Sequence, residues 1–372
     1  MTARRIRKNE EKYLPPALVA EGEAGGPEAR ERIVRTYLTE HPRLFTGERA
    51  TVERILREAP IAEGRTDLDA LRTELLFGRI AYGFHPEEYL TYELEGKTPQ
   101  ERQAFIPARE CLRDAYRMND MTDMDVFNNK GMTYRRFGRY YRREAVYLSG
   151  EMDLATFLTF TKAHPVFVKK MVKEAMGRSV ELVDLNETGQ APEDYFRSLL
   201  RDGPHILEER VVQSETLARL NPSSVNTIRS ITFLTRHGIE DPYYFMKIGR
   251  AGSFVDNGGA GGILVGIDRE TGRLCTDGYD EFNRRYETHP DSGVTFRGYQ
   301  LPDWDAMKTL CREMSAQIPS VKLIGWDMAH TDGGWVVIEG NGKTQFIGPQ
   351  TVFKRGIRTD VEGFLADMDL IV

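Results

Sequence analysis

The spacing of apolar residues changes character part-way along the chain. From Glu28 to about Tyr116 apolar side chains recur three and four residues apart, which predicts helices. Ala29–Tyr37, Thr51–Ala59 and Leu68–Ala81 carry this pattern, with Thr66 or Asp67 placed to cap the third. Residues 1–30 are polar and broken by Pro15-Pro16 and Gly25-Gly26-Pro27, and read as an irregular arm. Beyond Phe127 short apolar runs bounded by Gly, Pro, Asn and Asp predict strands. These are Pro165–Lys170, a strand within Asp202–Gln213, Val225–Leu234, Tyr243–Ile248, and a hairpin over Leu264–Cys275 turning at residues 268–272. Leu301–Ala316 reads as a helix with Asp303 as its cap, and Val361–Val372 as a closing helix.

The strongest strand pair lies near the end. Val321–Ala329 and Trp335–Glu339 flank the turn Thr331-Asp332-Gly333-Gly334 and predict a β-hairpin. A three-residue loop, Asp332-Gly333-Gly334, would pair Thr331 with Trp335 and so set Asp327 opposite Glu339. Glu339 and Asn341 share a face, because side chains alternate along a strand. Two carboxylates and an amide oxygen then point the same way from apolar strands, where unpaired charge is costly. Hard oxygen donors of this kind suit Mg²⁺, which takes one or two carboxylates and completes its shell with water and phosphate oxygens. The alternative is a solvated hairpin face with acids by chance.

Composition narrows the class. At 372 residues the chain is long enough for two or three domains, and 40% hydrophobic with 29% charged residues is ordinary for a globular protein. A net charge of −6 offers no broad basic field for nucleic acid or anionic membrane. The run Arg135, Arg136, Arg139, Arg142, Arg143 with interleaved aromatics would suit RNA in isolation, but no RNA-binding module accompanies it. Cys111, Cys275 and Cys311 lie far apart with no CxxC, which suggests reduced thiols and a cytoplasmic location. The basic N-terminus has no apolar run behind it, so no secretory signal is expected, and no stretch is apolar enough for a transmembrane segment.

GWDMA followed by VIEGN resembles the metal-binding end of ATP-grasp enzymes. NPSSVNTIR, GRAGSFVDNGGAGGI, HPDSG and LPDW together resemble the sugar-transfer-associated group within that superfamily, over roughly Phe127 to Phe353. The resemblance implies an α+β ATP-grasp fold, two α+β subdomains clasping ATP, behind a mainly helical N-terminal region. The expected boundaries are 1–125 for the helical region, 126–212 for the first subdomain and 213–372 for the second with its metal site. The implied cofactors are ATP and one or two Mg²⁺, with Mn²⁺ an admissible substitute, held by Asp327, Glu339 and Asn341.

By the same resemblance Lys130 and Lys169 contact phosphates. Without it Lys130 is a solvent-exposed lysine on a basic helix. Lys170 stands where relatives carry proline, and the following loop has one glycine, Gly177, so which lysine faces the phosphates stays open. Glu208, Glu209 and Val211 fall at the adenine hinge, with Gln213 or Glu215 within reach of the ribose. Asn226 and Arg229 are candidates for the terminal phosphate or the acyl phosphate. Arg250 is implied to stabilise the tetrahedral intermediate, and Asn257, in the glycine-rich stretch, to contact substrate or phosphate. That stretch is not a Walker A loop, since no Gly-Lys-Ser/Thr follows, and read by itself is a flexible hairpin loop. His289-Pro290-Asp291-Ser292-Gly293 reads as an ordered turn. Lys343 or Gln350 is placed to touch the acceptor.

The expected activity is an ATP-dependent carboxylate–amine ligase working through an acyl phosphate. It would join an amino acid to a sugar-containing or natural-product acceptor, with small-molecule partners and oligomeric state open. The competing readings are a small-molecule kinase on the same fold and a non-catalytic ATP-binding protein.

Overall fold

The computed structural model describes residues 13–43, 45–172, 180–254, 256 and 261–370. Asn257 and Gly177 lie outside them.

Helices fill the first third. Helix Pro16–Ala24 starts where an irregular arm was expected, because Pro16 occupies the first helical turn, where a missing N–H costs nothing. Gly26–Glu40, Thr46–Glu58 and Leu68–Phe77 follow, and bury Ile33, Ile55, Leu71 and Phe77 in one apolar cluster. Asp67 sits at the N-cap of the last, but its carboxylate is held by Arg65 at 2.8 Å and does not cap. His85 is the N-cap of helix Pro86–Thr91, with extended backbone at φ of −65° and ψ of 152°.

Two antiparallel sheets occupy the rest. The smaller has the order β1-β4-β2-β3: β1 Ala145–Leu148, β2 Val166–Met171, β3 Glu181–Asp184 and β4 His205–Glu209. One face of it is covered by helices Leu154–Ala163 and Pro192–Arg201, which pack Phe157, Phe160, Phe196 and Leu199 on Leu148, Phe167, Val183 and Leu207.

The larger sheet runs β11-β10-β5-β6-β7-β8-β9. Its strands are β5 Thr227–Thr235, β6 Gly238–Ile248, β7 Ile263–Ile267, β8 Leu274–Tyr279, β9 Arg285–Tyr286, β10 Leu323–Thr331 and β11 Gly334–Asn341. Alternate residues feed two cores. Tyr244, Met246, Trp326 and Met328 join helix Trp304–Ala316 on one side. Ile231, Phe233, Tyr243 and Phe245 meet Phe346, Val352 and Val361 on the other. Asp303 precedes helix Trp304–Ala316 with φ of 42° but makes no side-chain cap. The closing helix is Arg358–Asp367. No helix among the described residues is long and apolar enough to cross a membrane.

Candidate active site

Asp327 lies in the middle of β10 with a strand on either side. Antiparallel pairing sets Arg229 of β5 opposite it on one flank and Glu339 of β11 on the other. Lys247 of β6 is two residues along from Phe245, the partner of Arg229, so it shares their face.

The loop at 331 is not the one expected. Thr331 pairs with Gly334 across a two-residue turn, and regular counting from there would place Ile338 opposite Asp327. A β-bulge between Asp327 and Met328 on the β10 side absorbs one residue of β11 and brings Glu339 into that position. The expected pairing is present, by a different route. Asn341 stands opposite Gly325, where a Cβ would come within 2.3 Å of the Thr344 hydroxyl and 3.1 Å of Arg229 Cδ. Glycine lets those two side chains close over the strand.

Arg229 donates from Nε and Nη2 to the two oxygens of Asp327 at 2.6 and 2.7 Å, a two-pronged pair, and from Nη1 to the Thr344 hydroxyl at 3.2 Å. Lys247 Nζ lies 3.1 Å from Asp327 Oδ1. Burial pushes the Asp327 carboxyl up, but the two cations outweigh it and hold it at about 2. The acids are therefore not left bare, as the sequence argument supposed: protein cations neutralise Asp327. Glu339 makes no hydrogen bond or ion pair with another described residue. Asp256, buried beside this group, accepts from the Thr227 amide at 3.1 Å and from its hydroxyl. Burial raises its carboxyl above the ordinary range against the pull of Lys247.

Among the described residues no three His, Cys, Asp or Glu side chains converge as a metal-binding group. The set here is two carboxylates and an amide, within what Mg²⁺ accepts when phosphate and water supply the other positions. The Asn341 amide nitrogen is buried with no hydrogen-bond partner, so no protein group fixes that side chain. These donors fit a hard divalent ion, on condition that Arg229 and Lys247 yield Asp327.

The smaller sheet supplies the second half. Lys169 lies in register with Leu207 and Val146 on the helix-covered face, and its Nζ pairs with Glu181 at 2.8 Å. Lys170 lies in register with Ile206 and Tyr147 on the uncovered face. Strand alternation thus sets Lys170 and Lys169 on opposite faces of the sheet. Tyr147 on β1 and Leu182 on β3, at the two edges of that face, are each 40% exposed, while Ile206 and Val168 between them are buried.

Glu208 shares this face but is not open to a ligand. It is buried, bonded to Arg143 at 2.6 and 2.9 Å and to Lys170 at 2.7 Å. Burial pushes its carboxyl up, and Arg143 and Lys170 bring it down to about 2. Arg143 Nη1 donates to Val337 O at 2.7 Å, which ties the smaller sheet to β11, the strand that carries Glu339. Glu209 faces the helix side and accepts from the Glu144 amide at 3.1 Å. Val211 lies half-buried in the extended link between the sheets, beside Val212, which is 73% exposed. Lys130 starts helix Lys130–Tyr141, and its amide donates to Val172 O at 3.3 Å, at the end of β2.

Two amides expected at the ligand are committed to the protein. Asn226 is fully buried. Its Nδ2 donates to Leu217 O and Asn221 O at 2.8 Å, and its Oδ1 accepts from Gly249 N at 3.3 Å. Gln213 donates to Asn221 O and Ser224 O at 2.8 and 2.7 Å and accepts from Asn226 N at 3.0 Å. Both hold residues 221–226 in shape ahead of Arg229. Glu215, the alternative for the ribose, is exposed at the start of helix Glu215–Ala218. Gln350 is likewise spent, on Tyr92, Ile106 and Phe346, while Lys343 Nζ sits 3.3 Å from Asn128 Oδ1.

Arg250 is held in two-pronged fashion by Asp291 at 2.7 and 3.0 Å, and Asp291 also accepts from the Ala251 amide at 2.8 Å. Buried His289 contacts Gly249 O through Nε2 at 2.9 Å; since a carbonyl only accepts, Nε2 carries the proton. Nδ1 then accepts from the amides of Asp291 and Ser292 at 3.3 Å. The HPDSG segment is indeed a turn, and it is the brace for Arg250.

Sequence reasoning missed Lys247, Asp256, Arg143 and Asp291. Lys247 had a signal, a lysine inside the otherwise apolar Tyr243–Ile248. The other three depend on contacts distant in sequence, which no local pattern announces.

A family profile described as "Sugar-transfer associated ATP-grasp" matches residues 169–364. No curated protein matches the sequence. Among solved structures, similar ones include the ATP-grasp ligase PsnB complexed with minimal precursor, at 9% identity and TM-score 0.42 over 67% of this chain and 63% of that one. D-alanyl-alanine synthetase A from Vibrio cholerae O1 biovar eltor aligns at 10% identity and TM-score 0.41, over 66% of each chain. D-alanine–D-alanine ligase from Bacillus anthracis aligns at 13% and 0.40, over 68% of this chain and 70% of that one. The chain thus spans just under two thirds of the first two structures it matches.

Proposed function

Since the chain belongs to the sugar-transfer associated ATP-grasp family and has the ATP-grasp fold, we propose that it is an ATP-dependent ligase joining a carboxylate to an amine. The observation that carries this reading is the meeting of Asp327, Glu339, Arg229 and Lys247 on one sheet face, opposite charges arranged for a metal–triphosphate.

In the proposed first step a substrate carboxylate attacks the γ-phosphorus of ATP, ADP leaves, and an acyl phosphate forms. In the second an amine adds to the acyl carbon, loses a proton, and phosphate departs, leaving an amide. Arg229, Lys247 and Lys170 neutralise phosphate oxygens and hold them in line. Asp327, Glu339 and Asn341 would hold Mg²⁺, which supplies charge neutralisation at the phosphate oxygens. The apolar side chains of the sheet face that carries Lys170, Val168 and Ile206 among them, suit the purine ring. The link at Arg210–Gln213, whose backbone is outside both sheets, suits recognition of its amine. Glu208 contributes by fixing Lys170, and Glu209 and Val211 by shaping that link. Arg250, braced by Asp291, is assigned the tetrahedral oxyanion, with Asn257, later in the same glycine-rich stretch, on substrate or phosphate. The family's association with sugar transfer favours an amino acid and a sugar-containing acceptor as substrates. The three unpaired cysteines favour the cytoplasm.

The test incubates the enzyme with ATP, Mg²⁺ and pooled carboxylates, with and without hydroxylamine. Hydroxamate formation dependent on ATP supports the ligase. A stable phosphoester of a hydroxyl acceptor, without hydroxamate, replaces it with a kinase. Nucleotide binding without turnover in any mixture reduces it to a binding protein.

A further inference from the structure

We propose that Arg229 and Lys247 are exchangeable counter-ions for Asp327, so that a divalent ion can take Asp327 only when nucleotide phosphates take the two cations. The inference rests on the metal and nucleotide reading above and concerns the order in which the site assembles. Asp327 is 3% exposed, and both its oxygens are occupied: Oδ1 by Arg229 Nε at 2.6 Å and Lys247 Nζ at 3.1 Å, Oδ2 by Arg229 Nη2 at 2.7 Å. An incoming ion meets a carboxylate with both oxygens already engaged and two positive charges in contact with it.

Stripping Arg229 and Lys247 from Asp327 with nothing to receive them would strand two partly buried cations, which is unfavourable. A polyphosphate supplies the missing anions. Glu339, whose carboxylate makes no hydrogen bond or ion pair with a described residue, is the ligand free to meet the ion first. Asp256 sets the limit of the movement, because its carboxylate is anchored on Thr227 and stays near Lys247. Metal and nucleotide therefore bind as a pair, each raising the other's affinity by the same factor, as linkage demands.

The test measures Mn²⁺ binding to the full chain by electron paramagnetic resonance, with Mn²⁺ alone and with Mn²⁺ plus ADP. Wild type should bind Mn²⁺ weakly alone and at least tenfold more tightly with saturating ADP. Lys247→Met keeps the Arg229–Asp327 pair and so should fold; it should bind Mn²⁺ alone about tenfold more tightly than wild type, and gain less from ADP. Arg229→Met, checked for a folded spectrum by circular dichroism, should shift in the same direction. Tight Mn²⁺ binding by wild type without nucleotide, unchanged in Lys247→Met but lost in Asp327→Asn, overturns the exchange while leaving the metal site standing. Mn²⁺ binding equal in wild type and Asp327→Asn with ADP present overturns the metal reading itself.

Discussion

Asp327 and Glu339 stand opposite each other across the β10–β11 hairpin because one extra residue of β11 is taken up at the bulge beside Asp327. The two carboxylates share a position but not an environment: one is clasped by two cations, the other forms no ion pair among the described residues. Asp327→Asn and Glu339→Gln should each lower ATP turnover at least 100-fold, by loss of a metal ligand. Their stabilities should diverge. Asp327→Asn takes from the partly buried Arg229 and Lys247 the carboxylate both contact and should cost about 3 kcal/mol. Glu339→Gln should stay within about 1 kcal/mol of wild type. Urea unfolding followed by fluorescence separates the two; equal stability would show that Asp327 is not the anchor of those cations.

The two adjacent lysines of β2 give a test of face. Lys170 points to the uncovered side of the smaller sheet and Lys169 to the helix-covered side. Lys170→Met is expected to weaken ADP binding about tenfold or more, and Lys169→Met less than about threefold, by isothermal titration. The opposite ranking would restore Lys169 as the phosphate contact that the sequence resemblance implied.

Asn226 and Gln213 should behave as structural residues. Asn226→Leu abandons the Gly249 amide and two carbonyls, so stability should fall by about 2 kcal/mol or more, with ADP affinity of the folded fraction little changed. A variant of normal stability that has lost nucleotide would return Asn226 to the ligand.

Acid should find Glu208 and Asp327 first. Both carboxyls are held at about 2, against ordinary values of 4.5 and 3.8. A depressed folded value means the stabilisation is complete above the ordinary value and disappears as pH falls toward the folded one. Urea midpoints should therefore drop steeply between about pH 5 and pH 2. Glu208→Gln should be well below wild type at pH 7, with the gap narrowing below about pH 4.5 and closing only below about pH 2. Parallel curves for the two proteins would mean the ion triad contributes nothing to the pH dependence.

Asp291→Ala removes the brace of Arg250 but touches no phosphate in the proposed scheme. The expected result is a drop in kcat of about tenfold with KM for ATP unchanged. A rise in KM alone would move Arg250 to the nucleotide.

Much of this site could be read from the sequence, and the reasons differ by residue. Asp327, Glu339 and Asn341 were legible because a hairpin has a period of two and a visible turn. The register was reached with a three-residue loop in place of a two-residue loop plus a bulge, since a bulge leaves no local mark in composition. Lys170 was passed over because motif likeness pointed to its neighbour, while pairing with Ile206 decides the face. Asn226 looked like a ligand contact because a buried asparagine and a catalytic one read alike until their partners are known. The helix at Pro16–Ala24 was missed because two prolines suggest a break, although one of them begins it.

The junction of Arg143, Glu208, Lys170 and Val337 O has an evolutionary corollary. Two cations share one carboxylate, so losing Glu208 first strands both, whereas losing Lys170 or Arg143 first leaves a matched pair. A lineage moving from this junction toward an apolar one can therefore shed a cation before the acid but not the acid before the cations. The sequence of replacements open to the joint is in this way constrained, and a path that begins at Lys170 gives up the ammonium group on that sheet face.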